Sequence, residues 1–162
     1  MAPARSLDIR AGVLIPVMPM HRIIASTLAA LVIGCAEQEQ VQSKLSESIW
    51  AQLKGNDYQF IDFGLLAGKE WSRVCFFGPY NEQSSEALGF NWQVGDHTNV
   101  LRSDGHNVIV FATETDVLEY TAHSRGYGDF WKLSGKCFPR EQANFVKDPE
   151  SGNWLNYLSR KA

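Results

Sequence analysis

The residue types best suited to chemistry lie in one stretch: His97, His106 and His123, with Asp96, Asp104, Asp116 and Asp129. Neutral imidazole is a good metal ligand and proton acceptor near pH 7, and a neighbouring carboxylate tunes its basicity. Such a set is the raw material of a metal site or a general acid/base pair. The spacing argues for less. Steps of nine and seventeen residues between the histidines match no ligand or catalytic motif. Asp96-His97 and Asp104-Gly105-His106 also fall in turn-like sequence, where polar residues collect for backbone reasons alone. The histidines are therefore expected to be solvated loop residues or structural hydrogen-bonding groups, and no catalytic residue, metal ligand or cofactor is assigned. Gly126-Tyr127-Gly128 and the Gly64 to Gly68 segment lack the strand-then-helix context of a phosphate cradle. Neither a Gly-x-Ser-x-Gly elbow nor a His-Glu-x-x-His pair occurs.

Cys75 is a conceivable nucleophile with His106 or His123 as its base, but Val74, Phe76 and Phe77 surround it with apolar side chains. An unpaired thiol in such a setting is inert. Recognition chemistry concentrates instead in the segment from His123 to Trp131. Arginine, tyrosine and tryptophan bury large areas while keeping hydrogen-bond donors, which makes them typical interface anchors. The glycines let a loop present such side chains, at an entropic cost on ordering. Arg125, Tyr127 and Asp129 are the candidate binding residues, while Phe130 and Trp131 read first as core. Gly78-Pro79-Tyr80-Asn81 makes a weaker case of the same kind for Tyr80.

These residues need a scaffold. Val41, Leu45, Ile49 and Leu53 recur every four residues, the stripe of a one-face amphipathic helix ending at Gly55, a natural place for left-handed backbone. Strands are expected over Tyr58 to Phe63, Trp71 to Phe77, Phe90 to Val94 and, most strongly, His106 to Phe111. Asp104-Gly105 suggests a hairpin pairing Val100 to Arg102 with His106 to Phe111. Asn81 to Leu88 reads as a short helix closed by Gly89. Pro139 to Val146 reads as a helix with proline in its first turn. Asp116 to Tyr120 is either a strand or a helical turn. The aromatic tail from Trp154 to Leu158 is expected to dock. The fold class is α+β: a short, mostly antiparallel sheet with an N-terminal amphipathic helix and further short helices packed on it.

The N-terminal segment carries a different kind of information. His21 and Arg22 precede an apolar run from Ile23 to Ile33, followed by Gly34-Cys35. Eleven residues of helix span only about 16 Å, too short for a hydrocarbon core of about 30 Å. Such a run fits a secretory signal with a processing site. The stretch Val32-Ile33-Gly34-Cys35 resembles the lipobox of bacterial lipoproteins. That resemblance implies a diacylglyceryl group on the Cys35 sulfur and cleavage just before it. A plain secretory signal or a buried N-terminal helix are the rival readings. The expected organisation is an upstream extension over residues 1–19, a signal peptide over 20–34, a lipidated tether over 35–40 and one domain over 41–162. Translation is then expected to begin at Met20 or Met18. Ala36 in place of aspartate after the lipidated cysteine implies outer-membrane attachment facing the periplasm, for a Gram-negative source.

Export also gives the other cysteines a meaning. Cys75 and Cys137 form an even pair, most simply one disulfide in an oxidising compartment, with two separately buried thiols as the alternative. From Cys35 onward the chain has 12 Lys/Arg against 17 Asp/Glu. That acidity disfavours nucleic-acid binding and electrostatic adsorption to anionic lipid, leaving the lipid on Cys35 as the membrane contact. The expected function is a non-enzymatic binding, inhibitory or assembly-support role toward an envelope protein or cell-wall partner. The alternative is a small envelope hydrolase using histidine and aspartate.

Overall fold

A computed structural model describes residues 44–68, 70–81 and 83–157. The expected extension, signal peptide, lipobox and tether, Cys35 included, lie outside the described residues, as does Val41. Helix α1 covers residues 44–55. The strands are β1 (Phe60–Asp62), β2 (Arg73–Phe77), β3 (His106–Ala112), β4 (Val117–Ser124), β5 (Lys136–Pro139), β6 (Asn144–Lys147) and β7 (Trp154–Asn156), with α2 at Ser84–Leu88. Among the described residues, six short 3-10 turns join them.

The fold is α+β, with antiparallel strands and short helices packed on them. The strands divide into a four-stranded sheet ordered β4-β3-β2-β5 and a three-stranded sheet ordered β1-β6-β7. The larger sheet is buried on both faces, which is why Val74 to Phe77 and Val108 to Ala112 are unbroken apolar runs. On one face Val74, Phe76, Ile109 and Phe111 join Leu45, Ile49 and Leu53 of α1 and Ile61, Phe145 and Trp154 of the smaller sheet in one core. Phe63 lies at its centre, edge-on to Phe76, Phe130 and Phe145 at 5.2 to 5.7 Å. On the other face Cys75, Phe77, Val108 and Val110 pack under Leu88, Val94 and Leu101.

The α1 stripe behaves as its spacing requires: Leu45, Ile49 and Leu53 are buried while Lys44, Glu47 and Lys54 face solvent. The left-handed backbone, however, falls at Asp57 and Tyr58 rather than Gly55. Gly89 closes α2 with φ 76°. Cys75 and Cys137 sit opposite each other in the β2–β5 register and are joined as a disulfide, with Cα atoms 4.0 Å apart.

Three sequence expectations give way to tertiary contacts. Val100–Arg102 is a 3-10 turn, because β3 already pairs with β2 on one side and β4 on the other. The true hairpin partner of β3 is β4, turned by Thr113 and Asp116. Phe90 to Val94 holds no strand; the Ser84 and Ser85 hydroxyls bond the Trp92 carbonyl and the backbone N–H groups of Trp92 and Val94, replacing a ladder. Pro139 to Val146 is not a helix. Pro139 ends edge strand β5, Arg140–Gln142 is a 3-10 turn, and β6 follows. The Arg140 guanidinium fixes that turn by donating to the carbonyls of Gly64, Gly68 and Trp71 and lying 4.4 Å from the Trp71 ring centroid.

Candidate binding cleft

β2 runs out of the sheet into Gly78-Pro79-Tyr80-Asn81, closed by the Asn81 N–H donating to the Gly78 carbonyl. Proline holds the second position, and Tyr80 takes φ 62° in the third, where a type II turn ordinarily has glycine. A side chain in left-handed backbone costs about 1–2 kcal/mol. Its amide donates to the Leu101 carbonyl at 2.7 Å, so the turn is pinned from the neighbouring segment. The ring itself is 68% exposed and gains little from packing. A strained backbone that presents a solvated aromatic ring is a functional indication, not a stabilising one.

The segment following β4 supplies the facing wall. Arg125–Tyr127 is a 3-10 turn. Arg125 donates from Nε to Asp129 Oδ1 at 2.9 Å and from an Nη2 hydrogen to Asp129 Oδ2 at 2.7 Å. Nη1 donates to the Asp104 carbonyl at 2.8 Å, and Asp129 Oδ1 also accepts the Trp131 N–H. The hydrogen bond with Asp129 raises the Arg125 pKa above its ordinary value, so its charge is permanent. Ser134 completes the frame by accepting from the Gly78 N–H and the Asn81 side-chain amide, both at 2.9 Å.

Tyr80, Asp104, Arg125, Trp131, Lys132 and Ser134 line one open cleft of about 570 Å³. Two of the residues singled out in the sequence, Tyr80 and Arg125, therefore meet there. Asp129 acts behind Arg125, bracing it. Tyr127 does not line the cleft; its half-exposed ring packs against Trp50 of α1 at 5.6 Å. Sequence reasoning missed Trp131, read first as core but 45% exposed, with the Lys132 ammonium over its ring at 4.2 Å. Lys132 next to tryptophan was the available signal.

None of His97, His106 and His123 lines the cleft, and their surroundings differ. His97 is exposed and stacks on Trp92 at 4.5 Å. His106 pairs with Ser124 and Asn107 with His123, so strand alternation sends the two imidazoles to opposite faces. His123 is fully buried, and its Nδ1 hydrogen-bonds the Ser46 hydroxyl of α1 at 2.9 Å. Its Nε2 and the Oδ1 of Asn107 are buried without a hydrogen bond, while the Asn107 side-chain amide donates to the Gly128 carbonyl at 3.3 Å. Burial lowers the His123 pKa to about 4, offset in part by the Tyr127 backbone and reinforced by His106. The imidazole is neutral at pH 7 and serves as a latch between α1 and β4. Among the described residues no three His, Cys, Asp or Glu side chains are grouped as a metal ion would require, and no helix is long and apolar enough to cross a membrane.

The site is a polar and aromatic cleft at the end of a disulfide-linked antiparallel sheet. In comparison with known proteins, the chain matches no family model, no curated protein and no solved structure.

Proposed function

We propose that this is a lipid-anchored envelope protein whose domain binds another envelope component through the cleft between Tyr80 and Arg125. The observation that carries this reading is Tyr80: an exposed ring held on strained backbone, opposite an arginine already oriented by Asp129. Preorganised anchors of this kind lower the ordering cost of binding. The lipobox-like Val32-Ile33-Gly34-Cys35 supports the anchor, and the Cys75–Cys137 disulfide is consistent with an oxidising compartment. Outer-membrane attachment facing the periplasm belongs to the same proposal. A hydrolase draws less support, because none of His97, His106 and His123 hydrogen-bonds a carboxylate among the described residues, and His106 and His123 point to opposite faces of the sheet.

Intact-mass measurement of the membrane-extracted protein tests the anchor. A chain starting at Cys35 and carrying the added acyl mass is expected; an unmodified Cys35 terminus, or a precursor retaining Met20, overturns it. In-cell crosslinking from the cleft tests the binding role.

A further inference from the structure

We infer that the ligand of this cleft is a neutral, extended oligosaccharide, with Tyr80 and Trp131 as platforms for its rings; the inference rests on the binding reading above. The cleft adjoins a second hollow of about 800 Å³, and the two share Pro79 and Tyr80. Together they form a groove with Tyr80 at its junction, extended beyond what a single small ring needs. The second hollow adds the side-chain amides of Asn81, Gln83 and Gln93, the carboxylate of Asp96 and the guanidinium of Arg102.

The hydrogen-bonding capacity left over in this groove selects the ligand chemistry. Of the five guanidinium N–H donors of Arg125, three are engaged by Asp129 and the Asp104 carbonyl, leaving one on each Nη. Ser134 Oγ accepts twice, so its own hydrogen is available to donate. Gln93 Oε1 accepts the Ser84 N–H, which leaves its amide hydrogens for a ligand. The carboxylates of Asp96 and Asp104 only accept. The groove thus offers donors and acceptors together, with both signs of charge.

That mixture excludes the simpler ligands. A phosphate or carboxylate accepts only and would face Asp96 and Asp104. An organic cation donates only and would face Arg102, Arg125 and Lys132. An apolar chain would leave these groups unpaired, each at a desolvation cost. The rings of Tyr80 and Trp131 share the cleft with Asp104, Arg125, Lys132 and Ser134, so the lining is mixed rather than the contiguous apolar patch that marks many protein-binding surfaces. Sugar hydroxyl and acetamido groups both donate and accept, and the C–H faces of sugar rings lie well on aromatic faces. A linear β-1,4-linked chain has the extended shape the joined hollows require.

The test titrates the full chain in detergent with chitotetraose and cellotetraose, followed by calorimetry. At least one is expected to bind with a millimolar or tighter Kd, weakened about tenfold by Trp131→Ala or Tyr80→Gly and unaffected by Tyr127→Ala. Both cleft substitutions are at exposed side chains, and unchanged melting temperatures of the variants verify that they fold. Absence of binding by both tetrasaccharides at millimolar concentration overturns the inference, as does binding indifferent to Trp131 and Tyr80. Crosslinking from Lys132 in cells separates the two levels: a protein adduct without sugar binding overturns the oligosaccharide but retains the binding cleft. No adduct and no sugar binding overturns both.

Discussion

Arg125 and Asp129 face each other across one short loop, joined by two parallel N–H···O bonds of 2.9 and 2.7 Å. The same Asp129 carboxylate holds the Trp131 N–H, so one acid sets the positions of two cleft side chains. The pair is partly solvated, with 27% and 38% of the two side chains exposed, and its stabilising contribution is therefore below about 1 kcal/mol. Asp129→Asn is expected to leave the melting temperature nearly unchanged while weakening ligand binding about tenfold. Arg125→Lys should resemble it, because an ammonium cannot engage both Asp129 oxygens and the Asp104 carbonyl in the same geometry. Parallel calorimetric unfolding and binding titrations check this; large destabilisation with intact binding would reverse the assignment.

Tyr80 separates stability from binding in the opposite sense. Replacing it with glycine relieves the left-handed backbone at φ 62° but loosens the unfolded chain, for a net change between zero and a gain of about 1 kcal/mol. Binding should fall. Denaturant melts would show a midpoint equal to or above that of the parent, and a clear drop would mean the ring contributes packing.

Buried His123 gives the fold a pH dependence with a definite sign. Its folded pKa of about 4 lies below the ordinary value of 6.5, so the fold favours the neutral ring. The stabilisation is complete above pH 6.5 and declines as pH falls, because the unfolded chain takes up the proton first. Below about pH 4 the decline ends, after a loss on the order of 3 kcal/mol. In His123→Gln the slope between those pH values should flatten, as measured by denaturant unfolding at stepped pH. An unchanged slope would assign the effect elsewhere.

Gly128 lies where a Cβ would approach Leu53 Cδ1 to 2.6 Å and both His123 Nε2 and a Phe130 ring carbon to 3.3 Å. Gly128→Ala is therefore expected to destabilise by about 1–3 kcal/mol through overpacking. Faster amide exchange should appear in α1 and residues 125–131 before it appears in β2 and β3. Uniform acceleration would show that the contact is not local.

The Cys75–Cys137 bond ties edge strand β5 to β2 and closes a 62-residue separation. Loop-closure entropy places its contribution at about 4 kcal/mol. Paired Cys75→Ala and Cys137→Ala substitution should lower stability by roughly 2–5 kcal/mol. Equal unfolding midpoints with and without reductant would contradict that.

Local pattern was readable where one force dominated. The four-residue spacing of Leu45, Ile49 and Leu53 was enough for α1, and the apolar run of β3 was enough for a strand. Segments ruled by distant partners were not readable. Pro139 to Val146 has helix-compatible composition, but Arg140 is captured by the carbonyls of Gly64, Gly68 and Trp71, more than sixty residues earlier. The cleft was visible as separate residues, Tyr80 and Arg125, whereas their meeting depends on where β2 and β4 end in the sheet. His123 and Thr121 are fully buried at alternate positions of β4. Their polarity hides the alternation by which a half-buried strand is recognised.

Photo-crosslinking in living cells tests the cleft most directly. A diazirine amino acid is placed at Lys132, or at exposed Glu150 outside the cleft, in the full-length chain. The predicted result is a discrete envelope adduct from position 132, absent from position 150 and lost on Arg125→Ala. Equal adducts from both positions, or none from position 132, would contradict the assignment of this cleft as the binding surface.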